Sequence, residues 1–309
     1  MKLRFVKGHM GGNTIALLKG DQIPREDVLA CCLKVLDRNH LDCHEAGILY
    51  PPCDSGDVKI LVVARGSEKI ISACGGMTQV LGLAFAKLDM GLEFGINLGV
   101  DRTNFALETD SGLVHLSIVS EGDQIVTNTD MSSFLREIYS EGVSEMFLAG
   151  VDVIRVGKFL VVNGDKVRDA YPDVDFDRMD AFTQGILSSI QKEFLQKVGP
   201  TVFDYALYDW NPARGNHLRA VFPHRLPIGH SEPSCGTGTI ALGVALLETE
   251  EIAFSNGAID LSVETGGGFE LGGPEVTRLF LKGEKSKATE ATFSHSCVEL
   301  TAIGDVYVS

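Results

Sequence analysis

The stretch "ACGGMTQVLGLA" (73–84) returns half a chain later as "SCGTGTIALGVA" (234–245). With Cys74 laid on Cys235, the two agree at Gly75 and Gly236, Thr78 and Thr239, Leu81 and Leu242, Gly82 and Gly243, and Ala84 and Ala245. Each cysteine heads an apolar run of helical length, which predicts helices over 75–88 and 236–249. A chain that builds one cysteine-headed helix twice points to a duplicated α+β unit. Two similar lobes facing one another would bring two equivalent loops to a single cleft.

The rest of the chain fits that plan. "MKLRFVKGH" and "NTIALLKG" read as strands around a Gly-rich turn, "PREDVLACCLKVLDRNH" as an amphipathic helix and "VKILVVAR" as a buried strand. "NFALETDSGLVHLSIVS" reads as two strands around a turn. The second half has strands near "VDVIRVGKFLVVNG", "DYALYDW" and "HLRAVF". A long helix over 176–198 is predicted from Met179, Phe182, Ile186, Ile190, Phe194 and Val198 at helical spacing. "AIDLSVETGGGFELGG" follows as a hairpin.

At 309 residues the chain is long enough for two substantial cores. Its net charge of −15 argues against nucleic acid and anionic membranes as partners. No apolar run reaches the ~18 residues of a membrane helix. The opening "MKLRFVKGHMGGN" has no apolar signal-peptide core, which predicts a cytoplasmic protein. Seven cysteines in such a setting argue against a disulfide framework. Cys31, Cys32, Cys43, His44 and Cys53 match no zinc spacing, and Cys32 fits an apolar helix stripe, so these thiols read as small buried hydrophobes and no metal is expected.

A cysteine just before glycine at a helix start sits at the positive end of the macrodipole, which favours thiolate. The following N–H groups can cradle a carboxylate. Two thiols facing one ligand from opposite sides could take the Cα proton on one face and return a proton on the other, inverting the centre by general acid–base catalysis. The carbanion would be stabilised by N–H groups on the carboxylate. Such chemistry needs no cofactor, and no lysine context suggests pyridoxal phosphate. A Cys–His dyad using His224 or His230 would leave Cys74 unexplained.

These residues resemble the diaminopimelate epimerase family and the wider group of pyridoxal-independent amino-acid racemases. "KGHMGGN" (7–13), "ACGGMT" (73–78), "LETDSGLV" (107–114), "SCGTGT" (234–239), "SVETGGGFEL" and "GGPEVTRLFLKG" (272–283) carry the likeness. The resemblance implies an α+β fold of two pseudo-symmetric lobes, each a β-barrel-like sheet around a central helix, with the site in the cleft between them. The expected lobes are 1–121 with 284–309, and 122–283. The family pattern makes Cys74 and Cys235 catalytic, with Asn13, Gly75, Gly76, Gly236, Thr237, Arg225 and Glu232 binding substrate. Read from the residues alone, Asn13 is a ligand or a turn former, Arg225 a solvated side chain or a ligand, and Glu232 a loop-orienting or solvated one.

Gly76 stands where the family has Asn, "VGKFL" (156–160) replaces Val-Gly-Asn-Pro-His, and the Glu-Arg pair before the second cysteine has no clean counterpart. These departures leave the two thiols and count against diaminopimelate itself. The expected activity is therefore amino-acid racemisation or epimerisation on a small-molecule substrate, with a homodimer as a possible assembly. The alternatives are an isomerase of unsaturated carboxylic acids of the methylaconitate isomerase type, and a non-catalytic ligand-binding or redox-sensing protein.

Overall fold

The computed structural model describes residues 1–71, 74–122, 124–201, 203–223 and 231–308. They form two compact units, one of residues 1–133 with 294–309 and one of residues 134–293.

The first unit holds β1 (Lys2–Met10), β2 (Asn13–Lys19), α1 (Val28–Leu36), β3 (Glu45–Tyr50), β4 (Val58–Ala64), β5 (Lys69–Ile71), α2 (Gly75–Leu88), β6 (Arg102–Thr109), β7 (Gly112–Glu121) and β8 (Gln124–Asp130). The second holds most of α3 (Ser132–Glu141), then β9 (Val143–Leu148), β10 (Val151–Val156), β11 (Phe159–Asn163), α4 (Gly164–Ala170), α5 (Ala181–Val198), β12 (Asp204–Asp209) and β13 (Leu218–Pro223). It continues through β14 (Ser231–Glu232), α6 (Gly236–Glu248), β15 (Ala258–Thr265), β16 (Glu275–Glu284) and residues 287–293 of β17 (Lys287–His295). β18 (Val298–Tyr307) returns to the first unit and pairs antiparallel with β1.

The repeat read in two helices extends through both units. β1 and β2 form a hairpin, and β2 then runs parallel to β3, with Ile15 opposite Glu45. In the second unit β10 and β11 form the hairpin, and β11 runs parallel to β12, with Phe159 opposite Asp204. β4 then pairs parallel with β6 through Val58–Leu107 and Lys59–Glu108, as β13 pairs with β15 through Leu218–Val263 and Arg219–Glu264. The two glutamates do the same work. Glu108 accepts N–H bonds from Cys53, Asp54 and Gly56 at 2.7–2.9 Å. Glu264 accepts them from Ala213 and Arg214, and a third bond from the Asn216 amide. Each carboxylate closes a hairpin loop that would otherwise leave its amides unpaired.

The cysteine-headed helices form the two cores. Every residue of α2 from Gly75 to Phe85 is buried, and α6 is buried from Gly238 to Leu247. A helix that is apolar on all faces must be enclosed on all faces, and strands of each unit's own sheet surround it. Small residues permit the approach. A Cβ on Gly82 would fall 2.2 Å from Thr127 Oγ1, and one on the equivalent Gly243 2.5 Å from a Leu279 methyl. Cys31, Cys32 and Cys43 lie in a separate buried cluster with Val35, Leu36 and Ile48. Burial pushes the Cys32 thiol up to about 12 and that of Cys43 to about 11, so both pack as neutral side chains.

Some expectations need correction. The unit boundaries fall at 133/134 and 293/294 rather than 121/122 and 283/284. β8 stays with the first unit because it pairs with β7 from Leu116–Thr129 to Glu121–Gln124. The start of the tail stays with the second unit because Phe293 packs on Gly236 at the head of α6. The long helix begins at Ala181, not 176, and buries Thr183, Leu187, Ile190 and Phe194. Phe182 is exposed, and Met179 lies before the helix with φ 47°. The partner arm of β15 is β16, across the glycine-rich loop 266–274, rather than "GFELGG".

His295 ends β17 inside the first core. Its N–H donates to Gln79 Oε1 at 3.2 Å and its Nδ1 accepts from the Cys297 N–H at 3.1 Å. Burial, with the nearby His9 adding to it, lowers its pKa from 6.5 to about 4. An unfolded chain takes up this proton near pH 6.5 and the folded one does not, so stability falls as pH drops from 6.5 toward 4. The contribution is about 3 kcal/mol at most. Urea unfolding across that range should show His295→Gln losing less stability on acidification than the parent; equal acid slopes would contradict this account.

Candidate active site

Each cysteine is the N-cap of its helix. Cys74 is extended (φ −144°, ψ 123°) and its Sγ accepts the Met77 N–H at 3.3 Å. Cys235 repeats this (φ −138°, ψ 118°), with Sγ accepting the Gly238 N–H at 3.4 Å. The sulfur thus satisfies the third amide of the first turn. The amides of Gly75 and Gly76, and of Gly236 and Thr237, have no carbonyl partner within their helices. A carboxylate placed there would meet two N–H groups and the positive end of the helix. This explains the spacing in the sequence: the cap uses the amide three residues on and leaves the two between.

Each thiol also meets a carboxylate. Cys74 Sγ donates to Glu45 Oε2 at 2.5 Å, from the first residue of β3. Cys235 is hydrogen-bonded to Glu232, three residues earlier on β14, and its Sγ lies 3.3 Å from Thr237 Oγ1. Burial raises the Cys235 pKa well above its usual 9, and the charge and hydrogen bond of Glu232 raise it further; Thr237 and the Gly238 amide oppose this and lose. The lowered thiol pKa expected of a helix start is therefore overturned at Cys235. Desolvation and a neighbouring anion outweigh the macrodipole.

Around Cys74 the polar groups come from β2 and the residues leading into β3. Asn13 is buried, 2% exposed. Gly11 (φ 56°) and Gly12 (φ 88°) make the turn, so Asn13 is the first strand residue rather than the turn former. A Cβ on Gly76 would stand 3.3 Å from Asn13 Nδ2, so the Asn13 amide lies where a residue-76 side chain would begin. His44 Nδ1 accepts the Thr14 N–H at 3.1 Å and lies 3.2 Å from Asn13 Oδ1. Below the helix start a buried chain runs from Gln79 Nε2 to Thr129 Oγ1 (2.9 Å), on to Thr78 Oγ1 (2.7 Å) and to the Gly75 carbonyl (2.7 Å). In the second unit Thr239 Oγ1 donates to the Cys235 carbonyl at 2.7 Å, and the Gly266 N–H holds the Pro233 carbonyl at 2.9 Å.

The first unit therefore gathers Asn13, Cys74, Gly75 and Gly76, and the second gathers Glu232, Cys235, Gly236 and Thr237. Arg225, with His224 and His230, lies outside the described residues. His217 is exposed and bonded to Ser262, on β15. Sequence reasoning missed Glu45 and His44. The available signal was "HEAGILY", an acidic residue opening an otherwise apolar strand. Among the described residues no group of three or more His, Cys, Asp or Glu side chains could hold a metal ion.

No protein-family model matches the chain, and no curated protein matches its sequence. Solved structures do match it over its whole length. A hydroxyproline epimerase from Agrobacterium vitis, with bound trans-4-hydroxy-L-proline, is 14% identical, with a TM-score of 0.69 over 99% of this chain and 92% of that one. A phenazine biosynthesis protein of the PhzF family from Bacillus anthracis is 13% identical, with a TM-score of 0.66 over 100% of both chains. A methylitaconate-delta-isomerase is 14% identical, with a TM-score of 0.63 over 100% of this chain and 96% of that one. The chain has the α+β fold shared by these proteins, the diaminopimelate epimerase-like fold that its cysteine loops resemble.

Proposed function

We propose that the protein is a cofactor-independent amino-acid racemase or epimerase. Cys74 and Cys235 exchange protons with opposite faces of the substrate Cα. The observation that carries this reading is the repeated unit of a helix-capping thiol, two adjacent amides and a carboxylate on the thiol. The amides hold the substrate carboxylate and stabilise charge that builds on it as Cα loses its proton. Glu45 takes the proton of Cys74, leaving a thiolate that removes the Cα proton. Cys235, held as a neutral thiol at rest, returns a proton to the other face, and Glu232 orients that thiol. The substrate is inverted with no group gained or lost; Glu45 then gives up its proton to water and Cys235 takes one from water, which restores the starting protonation. Proteins sharing the fold carry the names epimerase, racemase and isomerase.

An amino acid suits this site better than an unsaturated diacid. Glu45 and Glu232 place negative charge beside the thiols, which favours an α-ammonium group. A dianion would add a further negative charge beside these two carboxylates.

With the substrate in deuterated water, Cα should acquire solvent deuterium. Cys74→Ala and Cys235→Ala should each lower racemisation by at least about 10²-fold, the lower end of what one acid–base group supplies. Full activity in either variant would remove the two-thiol mechanism. The thiol itself gives a second check. Alkylation of Cys235 by iodoacetamide should be slow at neutral pH and rise only above pH 9. In Glu232→Gln the rise should move to lower pH, because a negative charge that disfavours thiolate is gone. An unmoved profile would show that Glu232 does not act on this sulfur.

A further inference from the structure

We propose that the substrate carries a small hydrocarbon side chain, seated in an apolar cavity beside Cys74. The inference rests on the racemase reading and names the substrate class for that same site. Cys74 has two kinds of neighbour. Its thiol donates to the carboxylate of Glu45, which follows His44 of the Asn13–His44 pair. It also lines a small cavity with Ile60 and Val62 of β4, Leu107 of β6, Val114 of β7, and Met77 and Met131. No charged side chain is among the described residues that line it.

Two threonines also border the cavity, and neither offers it a spare donor. The Thr78 hydroxyl donates to the Gly75 carbonyl at 2.7 Å. The Thr109 hydroxyl donates to the Gly112 carbonyl at 2.8 Å. A polar or charged substituent entering here would lose its water and find no partner, which is costly. A methyl group, about the size of the water it would displace, would lose only water. An α-amino acid presents the matching division at its reacting carbon, an ammonium on one bond and a side chain on another. With the carboxylate on the helix amides, the ammonium meets Glu45 and the side chain enters the cavity. The cavity is small, so glycine would leave it empty and a long side chain would not enter.

The test is Cα deuterium wash-in with the full-length protein, measured for glycine, alanine, valine, aspartate and lysine. Alanine should exceed valine, aspartate and lysine in kcat/KM by about tenfold or more. Val114→Ile adds one methylene to the lining and should lower the alanine-to-glycine rate ratio by about tenfold. Val62→Ala removes two methyl groups and should raise the valine-to-alanine ratio. It tests the same cavity should Val114→Ile fail to fold. Wild-type ratios in both folded variants would make the cavity a packing defect and overturn the inference, as would a preference for aspartate or lysine. Exchange of some amino acids with no such preference leaves the racemase reading standing and removes this one. No exchange with any amino acid, glycine included, removes both.

Discussion

The structure turns on a sulfur that caps a helix. An N-cap side chain normally closes a helix end with a hydroxyl or carboxylate oxygen. Here the acceptor is Sγ, and the amide it takes is the third of the first turn. That choice leaves two amides beside the thiol for an anion. It also fixes the thiol, since the rotamer that caps the helix is the one that meets Glu45 or Glu232. One interaction thereby caps the helix, leaves two amides open and, in the proposed reaction, aims the acid–base group. The core enforces it: α2 and α6 are enclosed on every face, so their N-termini have little freedom to shift.

The duplicated plan holds in the backbone and breaks in the side chains. Glu108 and Glu264 occupy the same register and close the same loop. The carboxylates that touch the thiols do not correspond. One begins β3, 29 residues before its cysteine; the other stands three residues before its own. Asn13, opposite Met10 in the first hairpin, has Phe159 as its counterpart opposite Val156. The polar pocket of Asn13 and His44 is therefore a property of the first unit. The proposed amino-acid substrate would need such inequality, because two identical sets of groups would not tell an amine from a side chain.

Much of this was legible in the sequence, for physical reasons. The repeated Cys-Gly motif and its apolar helix are local features, and helices 75–88 and 236–249 emerge within a residue of their expected ends. Glu232 was visible because it is close in sequence to Cys235. Glu45 was not, because it lies 29 residues before Cys74 on a strand placed by its pairing with β2, and such long-range placement leaves no local mark. The stripe assigned to α5 failed in a different way. Phe182 and Val198 keep helical spacing yet face outward, since spacing specifies a face and not what covers it.

The sign of the Cys235 shift carries the last step. Reasoning from the macrodipole favours thiolate, as in enzymes that need a nucleophile. In the proposed reaction run from the opposite enantiomer, where the Cys235 thiolate takes the Cα proton, the demand is reversed. An amino-acid Cα–H is a far weaker acid than any thiol, and a base is stronger the higher the pKa of its conjugate acid. Each unit by which burial and Glu232 raise Cys235 narrows that gap by about 1.4 kcal/mol. The cost is a thiolate that forms less readily, and in the proposed cycle Cys235 becomes one only by giving its proton to the carbanion, a far stronger base. The same carboxylate that disfavours the free thiolate thus matches Cys235 to the proton it must move.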